Sequence, residues 1–314
     1  MRYTIKDIAQ LCQVGKSTVS RVLNQDPNVN ETTRAKVQAV IDELGFQPNR
    51  SARAMRGATE PVVGIIVTRL NSTAESQTLS AMLQELHKHN ITPLIVESQF
   101  QPEQVKRHFQ LFKQRQVDGI ILFAFSRLSL ELVAQWQKKL VVVARQYPHI
   151  ASVFYDDHNA VQTLMNQLYQ QGHRHIAYLG VNEQDETTGH QRNQSYLQFC
   201  NNHQLAANMA QANLDAESGY QHMPTLFLKP VDAILCASSS LAIGAFKYLQ
   251  EIGQMRPLAC IGQNSLLQYV VPNLVSLDFG YPQAGKWAVE LLVKQLAGEK
   301  TPEQRCVPFQ LIHS

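Results

Sequence analysis

From Pro61 onward, short apolar runs alternate with helical patterns, and this alternation restricts the possible folds more than any other feature of the chain. Strand-like runs cover residues 62–68, 93–97, 119–123, 140–144, 152–155, 175–181, 233–236, 259–262 and 275–278. Helical patterns such as 76–88, 104–114, 159–170 and 240–252 lie between most of them. A parallel strand pair needs a crossover of about a dozen residues or more, and these helices supply it, so the alternation predicts α/β structure with parallel sheets. Some 250 residues exceed what one compact sheet needs. Tyr155-Asp156-Asp157 is the expected crossing between two lobes, and a late strand and helix over 275–296 bring the chain back near residue 278. There is no internal repeat, no low-complexity tract, and no GxGxxG after the first strand.

The first 60 residues read differently. Thr4 is a plausible N-cap for a helix carrying Ile5, Ile8, Ala9 and Cys12 at helical spacing. Gly15 interrupts the pattern and Ser17 to Leu23 resumes it. Asn30 or Thr32 then caps a third helix carrying Ala35, Val37, Val40, Ile41 and Leu44. Three short helices, the first two joined by a three-to-four-residue turn, make the helix-turn-helix pattern. The small Ala9 permits a close crossing, with Val14 and Val19 filling the space. The second helix then presents Lys16, Ser17, Thr18, Ser20 and Arg21, residue types that donate to guanine or contact either base type in a major groove. The alternative is a small helical bundle with a solvated basic face. Gln13 stands at a turn position that usually needs Gly, where the left-handed conformation costs about 1 kcal/mol.

Net charge supports the first reading. The chain carries 28 Lys+Arg against 25 Asp+Glu, a balance of +3. Residues 1–60 hold nine of the bases and six of the acids, which leaves 19 of each sign in the remainder. The whole excess therefore sits in the first fifth, an asymmetry that points to a nucleic-acid partner. Part of it lies in Pro48-Asn49-Arg50-Ser51-Ala52-Arg53-Ala54-Met55-Arg56-Gly57. No acid occurs between Leu44 and Thr59. A helix this short is marginal alone and should form only when docked. An exposed basic linker is the competing account.

In open α/β sheets, ligands bind beyond the carboxyl ends of the strands. Arg69 and Arg145 each follow a strand-like run there, and Arg192 opens the helix after the sixth run. Three guanidiniums converging on one cleft would suit a phosphate or carboxylate. Alternatively, each makes a separate structural pair with Glu75, Asp156 or Asp185.

Other classes find little support. The eleven histidines form no HExxH, there is no GxSxG, and no catalytic residue set, cofactor motif or metal site is evident, so an enzyme is not expected. Five scattered cysteines without a CxxC pair argue against a disulfide framework and fit a cytoplasmic protein. The longest apolar runs fall far short of the roughly 20 residues that span a bilayer, so no membrane association is expected. The start lacks the apolar core of a signal peptide. At 44% hydrophobic and 17% charged residues, the chain can bury a substantial core.

Thr4-Ile5-Lys6-Asp7-Ile8-Ala9, Gly15 to Asn24 and Pro48 to Met55 together resemble the lactose-repressor (LacI/GalR) family. The resemblance continues over nearly the whole chain and implies three parts. These are a helix-turn-helix DNA-binding domain over 1–47, a hinge helix and linker over 48–60, and a two-lobed effector-binding and dimerisation domain over 61–314, similar to periplasmic sugar-binding proteins. It implies that Lys16, Ser17 and Arg21 read the major groove. It also implies that Asn49 to Met55, including Arg50 and Arg53, lie in the minor groove with Met55 inserted as an apolar wedge. Val67-Thr68-Arg69-Leu70, Glu97-Ser98-Gln99-Phe100, Ser152 to Asp157, Gly172 to Val181 and Thr187-Thr188-Gly189 look closer still to the trehalose operon repressors of that family. The implied function is a homodimeric repressor of trehalose genes on a pseudo-palindromic operator in double-stranded DNA, released by trehalose 6-phosphate. By the same similarity, Arg69, Glu75, Arg145, Arg192, Asn264 and Tyr281 fall at effector-contacting positions. Ser238-Ser239 departs from the family, which often has an aspartate there. A repressor of this type answering to another sugar or sugar phosphate, and a sugar-binding protein without a DNA function, are the alternatives.

Overall fold

The structure is a computed structural model that describes residues 4–23, 26–44, 60–299 and 302–313. The chain divides into two compact units, Met1–Glu60 and Pro61–Ser314.

The first unit contains α1 (Ile5–Leu11), α2 (Lys16–Leu23) and α3 (Glu31–Glu43). A capping box starts α1. The Thr4 hydroxyl accepts from the Asp7 amide, and the Asp7 carboxylate accepts from the Thr4 amide at 2.7 Å. Asn30 caps α3 by accepting from the Thr32 amide at 2.9 Å. The turn after α1 closes through the Val14 amide, which donates to the Ala9 carbonyl at 2.9 Å. Gln13 takes φ 50° there, so the turn adopts the left-handed residue without a glycine. Ile8, Ala9, Cys12, Val19, Val22, Val37 and Ile41 form one buried core that holds the three helices together.

The second unit is two parallel-stranded lobes, built as the strand–helix alternation requires. The first sheet has the order β11-β5-β4-β3-β1-β2, all neighbours parallel. Its strands are β1 (Val62–Val67), β2 (Thr92–Glu97), β3 (Gly119–Phe123), β4 (Leu140–Val143), β5 (Ala151–Tyr155) and β11 (Gln304–Val307). The helices between them are α4 (Thr73–Lys88), α5 (Pro102–Arg115) and α6 (Leu130–Ala134), with one further helical turn at Gln137–Lys139.

The second sheet has the order β12-β10-β9-β8-β6-β7. It contains β6 (Ile176–Val181), β7 (Asn208–Ala212), β8 (Ala233–Cys236), β9 (Leu258–Ile261), β10 (Val275–Asp278) and β12 (Gln310–His313), the last antiparallel to β10. Its helices are α7 (Asp157–Gln170), α8 (Arg192–Asn202), α9 (Ala216–Leu226), α10 (Ser239–Glu251) and α11 (Ser265–Val270). The central strands of both sheets, such as β1, β3, β4, β6, β8 and β9, are near-continuous buried apolar runs, as expected where helices cover both faces.

The chain passes between the lobes three times: at Tyr155–Asp157, between Asp278 and Tyr281, and between Val307 and Gln310. The sequence reading contains the first two passages and lacks the third. At the second, Gly280 adopts φ 65° and its amide donates to the Asp278 carboxylate at 2.8 Å. This turn launches α12 (Tyr281–Leu296), which follows a strand of the second sheet yet packs on the first lobe. There Ala284, Ala288 and Leu292 share a core with Met82 and Leu86 of α4. Gly285 keeps the two helices close, since a Cβ at that position would collide with the Thr78 carbonyl. Among the described residues, no helix is long and apolar enough to cross a membrane.

Candidate functional site

Two places in the chain carry candidate sites, one in each unit. In the first unit, α2 buries Val19 and Val22 and turns its other side outward. Lys16, Ser17 and Arg21 are exposed, whereas Thr18 and Ser20 are half-buried. Arg21 reaches Asp26 at 3.8 Å while 64% of its side chain stays accessible, so the guanidinium remains available to a partner. Asp26 is held below the usual carboxylate range, first by the Asn28 amide that donates to it. Asn49, Arg50, Arg53 and Met55 lie outside the described residues.

In the second unit, the carboxyl ends of both sheets face a cleft enclosing about 980 Å³ including its mouth. Its first-lobe wall includes Thr68, Arg69, Glu75, Phe100, Phe123 and Phe125, and its second-lobe wall includes Asp157, Asp185, Thr188, Arg192 and Ser238. Tyr155 and Tyr281, from the first two passages between lobes, also line it. They meet edge to face at 5.6 Å, and Tyr155 meets Phe279 at 5.1 Å, so aromatic contacts pin the crossing strands under the cleft. Burial pushes the Tyr281 hydroxyl up to about 12, so it is neutral and serves as a donor or acceptor.

Arg192 is almost fully buried. Its Nε donates to the Asp157 carboxylate at 2.6 Å, one terminal nitrogen donates to the Ala237 carbonyl, and the guanidinium lies 5.2 Å from the Phe279 ring centre. Burial pushes the Asp157 carboxyl up and the guanidinium opposes it, while the carboxylate in turn keeps Arg192 cationic. Arg192 therefore pairs with Asp157, not with Asp185 as the separate-pair alternative had it. Asp185 instead caps the wide helical turn Glu186–Gln191, accepting from the amides and hydroxyls of Thr187 and Thr188 through a single oxygen. Gly189 belongs to this turn because any Cβ there would meet the Asn182 carbonyl.

Glu75 is held by different means. Its carboxylate accepts from the Thr68 amide at 2.7 Å, from the Thr68 hydroxyl, and from the Arg69 amide at 3.4 Å. Burial still pushes its carboxyl above the ordinary range. The Arg69 guanidinium reaches across the cleft and donates to the Leu214 carbonyl of the second lobe at 3.1 Å. It lies 5.2 Å from the Phe100 ring centre, and its buried Nε has no protein partner. A second link across the mouth joins the Ser126 hydroxyl to the Glu186 amide.

The structure thus brings Arg69, Glu75, Arg192 and Tyr281 into one cleft. It does not bring Arg145 or Asn264 to the wall. Arg145 donates to the Phe125 and Ser126 carbonyls at 2.9 and 3.2 Å and to the Tyr147 hydroxyl at 3.2 Å, and so shapes the loop that carries Phe125. Two of the three guanidiniums thus line the cleft, and the third is engaged by these backbone acceptors beside Ala144, which lines it. Asn264 caps α11 by accepting from the Leu267 amide at 3.0 Å, which directs its side chain into that helix end. Asp157, Asp185, Thr68 and the rings of Phe100, Phe123, Phe125 and Tyr155 are among the cleft residues that sequence reasoning missed. Ser238 caps α10, accepting from the Leu241 amide at 3.3 Å. It fills the capping role an aspartate would fill, and the cleft carries one negative charge fewer.

No group of three or more His, Cys, Asp or Glu among the described residues is placed to hold a metal ion. Residues 4–49 match the family of bacterial regulatory proteins of the lacI type, and residues 165–313 match the periplasmic binding protein-like domain. The chain is 45% identical over 312 residues to the HTH-type transcriptional regulator TreR of Escherichia coli K12, covering 99% of each. It is 26% identical over 315 residues to the sucrose operon repressor of Staphylococcus xylosus, covering 96% of each. Among solved structures, the trehalose repressor from Escherichia coli superposes with a TM-score of 0.78 at 40% identity, covering 81% of this chain and 100% of that one. The lac repressor dimer bound to operator and the anti-inducer ONPF shares the fold, with a TM-score of 0.79 at 21% identity over 99% of this chain and 98% of its own.

Proposed function

The chain belongs to the lacI family of bacterial regulatory proteins, and from that premise we propose that it represses trehalose genes and leaves its operator when trehalose 6-phosphate fills the cleft. A regulator, and not an enzyme, is what this membership makes it. The observation that carries the effector reading is the pairing of arginines across the cleft. Arg69 comes from one lobe and Arg192 from the other, with aromatic rings between them. Phe100, Phe123, Phe125, Tyr155 and Tyr281 offer apolar faces to sugar rings, and the carboxylates of Glu75, Asp157 and Asp185 accept from sugar hydroxyls. The unpartnered Nε of Arg69 is the natural donor for a phosphate oxygen.

The head reads DNA through Lys16, Ser17 and Arg21, with Thr18 and Ser20 beside them. Asn49, Arg50, Arg53 and Met55 form the hinge that enters the minor groove. The protein works as a homodimer on a pseudo-palindromic site, because one head with a modest charge excess binds weakly. Leu266 and Tyr269 of α11, 68% and 90% exposed, offer apolar surface for self-association. A sugar phosphate shifts this system only by its differential affinity for the two states.

Calorimetric titration with trehalose, trehalose 6-phosphate and a panel of other sugar phosphates tests the effector. Trehalose 6-phosphate is expected to bind most tightly and to release operator duplex at saturation. Unchanged operator affinity at saturating sugar phosphate rejects the proposal. Arg69→Ala is expected to weaken effector binding more than Arg145→Ala, because only the first lines the cleft. Equal losses would assign Arg145 a direct contact.

A further inference from the structure

The second unit is neutral in total, but its charges are not evenly spread. At the amino ends of the first sheet's strands, β1, β3 and β4 begin on one level. Val63 stands opposite Gly119, and Ile120 opposite Leu140. The Val62 amide donates to the Asp118 carboxylate at 2.8 Å, and the Asp118 amide donates to the Val62 carbonyl at 2.8 Å. This is therefore the end at which the polypeptide enters from residue 60. The last turn of α5 places Lys113 and Arg115 here, and the turn Gln137–Lys139, which leads into β4, places Lys138 and Lys139 beside them. Phe109 of α5 and Trp136, 5.6 Å apart between ring centres, fix the two segments against each other.

All four cations are exposed, and none has an acid within 4.0 Å among the described residues. Several acids at this end are engaged: Asp118 holds the Val62 amide, Glu85 holds Lys88 at 2.8 Å, and Glu303 holds Lys294 and Arg305, while Glu299, one turn beyond Gln295, is exposed. Lys106 and Arg107, also exposed, continue the positive face along α5. None of the large exposed apolar side chains lies on this rim. Glutamines at 110, 114, 116 and 137, all exposed, alternate with these cations along the sequence.

We propose that this rim is a second, sequence-independent DNA contact, in which Lys113, Arg115, Lys138 and Lys139 of the first lobe engage backbone phosphates flanking the operator. The inference rests on the DNA-binding reading of the first unit. A protein partner needs a buried aromatic or apolar anchor, and stable membrane anchoring needs a second signal beside a basic patch, and the rim has neither. Long cations and amides without an anchor are the residue types that contact duplex phosphate without reading sequence. The tether at residue 60 keeps the rim at high local concentration near any duplex the first unit holds.

The test measures affinity against salt concentration on two duplexes with the full-length protein. One carries the operator alone, and the other extends it by about two helical turns, roughly 20 bp, on each side. The extended duplex is expected to bind more tightly and with a steeper salt dependence. The variant Lys113→Glu/Arg115→Glu/Lys138→Glu/Lys139→Glu should lose that difference. Its slope on the long duplex should be shallower by up to about 3.6 for each rim that engages, at about 0.9 per phosphate contact. Its affinity for the short duplex and for the sugar phosphate should stay at the parent values, which shows that the variant is folded, and a fourfold Gln variant, which removes the same four cations, should lose the same slope. Equal affinity of the parent protein for both duplexes overturns the inference, as does an equal loss by the variant on both. Failure of the parent protein to bind the short duplex would instead overturn the reading on which it rests.

Discussion

The two lobes each bury one carboxylate against the cleft, and they hold it by opposite means. In the second lobe, Asp157 is neutralised by Arg192, and the guanidinium is itself anchored on the Ala237 carbonyl. In the first lobe, Glu75 has only hydrogen bonds from the amides of Thr68 and Arg69 and the Thr68 hydroxyl, while the nearest guanidinium is committed to the opposite lobe. An ion pair is nearly indifferent to a neutral sugar but polarised toward a charged one. A carboxylate held by dipoles alone offers sugar hydroxyls an acceptor whose charge burial disfavours. The cleft thus divides its work: the second lobe supplies a fixed cation, and the first supplies an acceptor plus Arg69, a movable cation bridging the gap.

The largest effect should come from breaking the ion pair. Arg192→Ala leaves Asp157 buried and unpaired, and loss of one partner of such a pair costs about 3–5 kcal/mol. Urea unfolding should show the second unit destabilised by that amount, with effector binding lost. A cost under about 1 kcal/mol would mean that water or a neighbour replaces the guanidinium and that the two lobes are alike. Glu75→Gln should cost less, because the loss of an acceptor for one donor from Thr68 or Arg69, about 1–3 kcal/mol, is offset by removing a charge that burial disfavours. Thr68→Val removes a single hydroxyl donor and should cost about 1 kcal/mol by the same unfolding measurement. If it matches Arg192→Ala, the hydroxyl, and not the backbone amides, holds Glu75.

Much of this was legible in the residues, and the parts that were not share a physical cause. The central strands announce themselves because they are buried on both faces and so read as unbroken apolar runs, as in Val62–Val67 and Leu140–Val143. The strands β7, β11 and β12 did not. Each lies at a sheet edge or beside one, half solvated, and Asn208-Met209-Ala210-Gln211-Ala212 has no β-branched residue to mark it. Missing β11 and β12 also hid the third passage between lobes. In the cleft, Arg69 and Arg192 were found because strand ends point there. Arg145 follows a strand too, but Ala144 before it takes φ 75°, and that backbone turn is invisible to spacing. In the sequence Asp157 reads as part of a crossing and not as a partner, because its ion pair joins residues 35 positions apart.

The smallest effect is one of slope, and it probes Glu75. Burial raises the Glu75 carboxyl above its ordinary value of 4.5. Between that value and the raised one, the folded state holds a proton that the unfolded state has released. Stability should therefore fall as pH rises through this window and be fully present below it, with a limit of about 1.4 kcal/mol per pH unit for one proton. Glu303 works in the other direction at lower pH. Its carboxyl is held down to about 2 by Arg305 and Lys294, so its contribution is lost as pH falls from 4.5 toward 2. The two windows do not overlap. Asp157 is raised as well and contributes in the same direction in both proteins, so the Glu75→Gln variant should be flatter than the parent above pH 4.5 and unchanged below it. Parallel stability curves for the two proteins above pH 4.5 would show that Glu75 ionises in the fold as freely as in water. The contrast between a carboxylate held by dipoles and one held by a cation would then disappear.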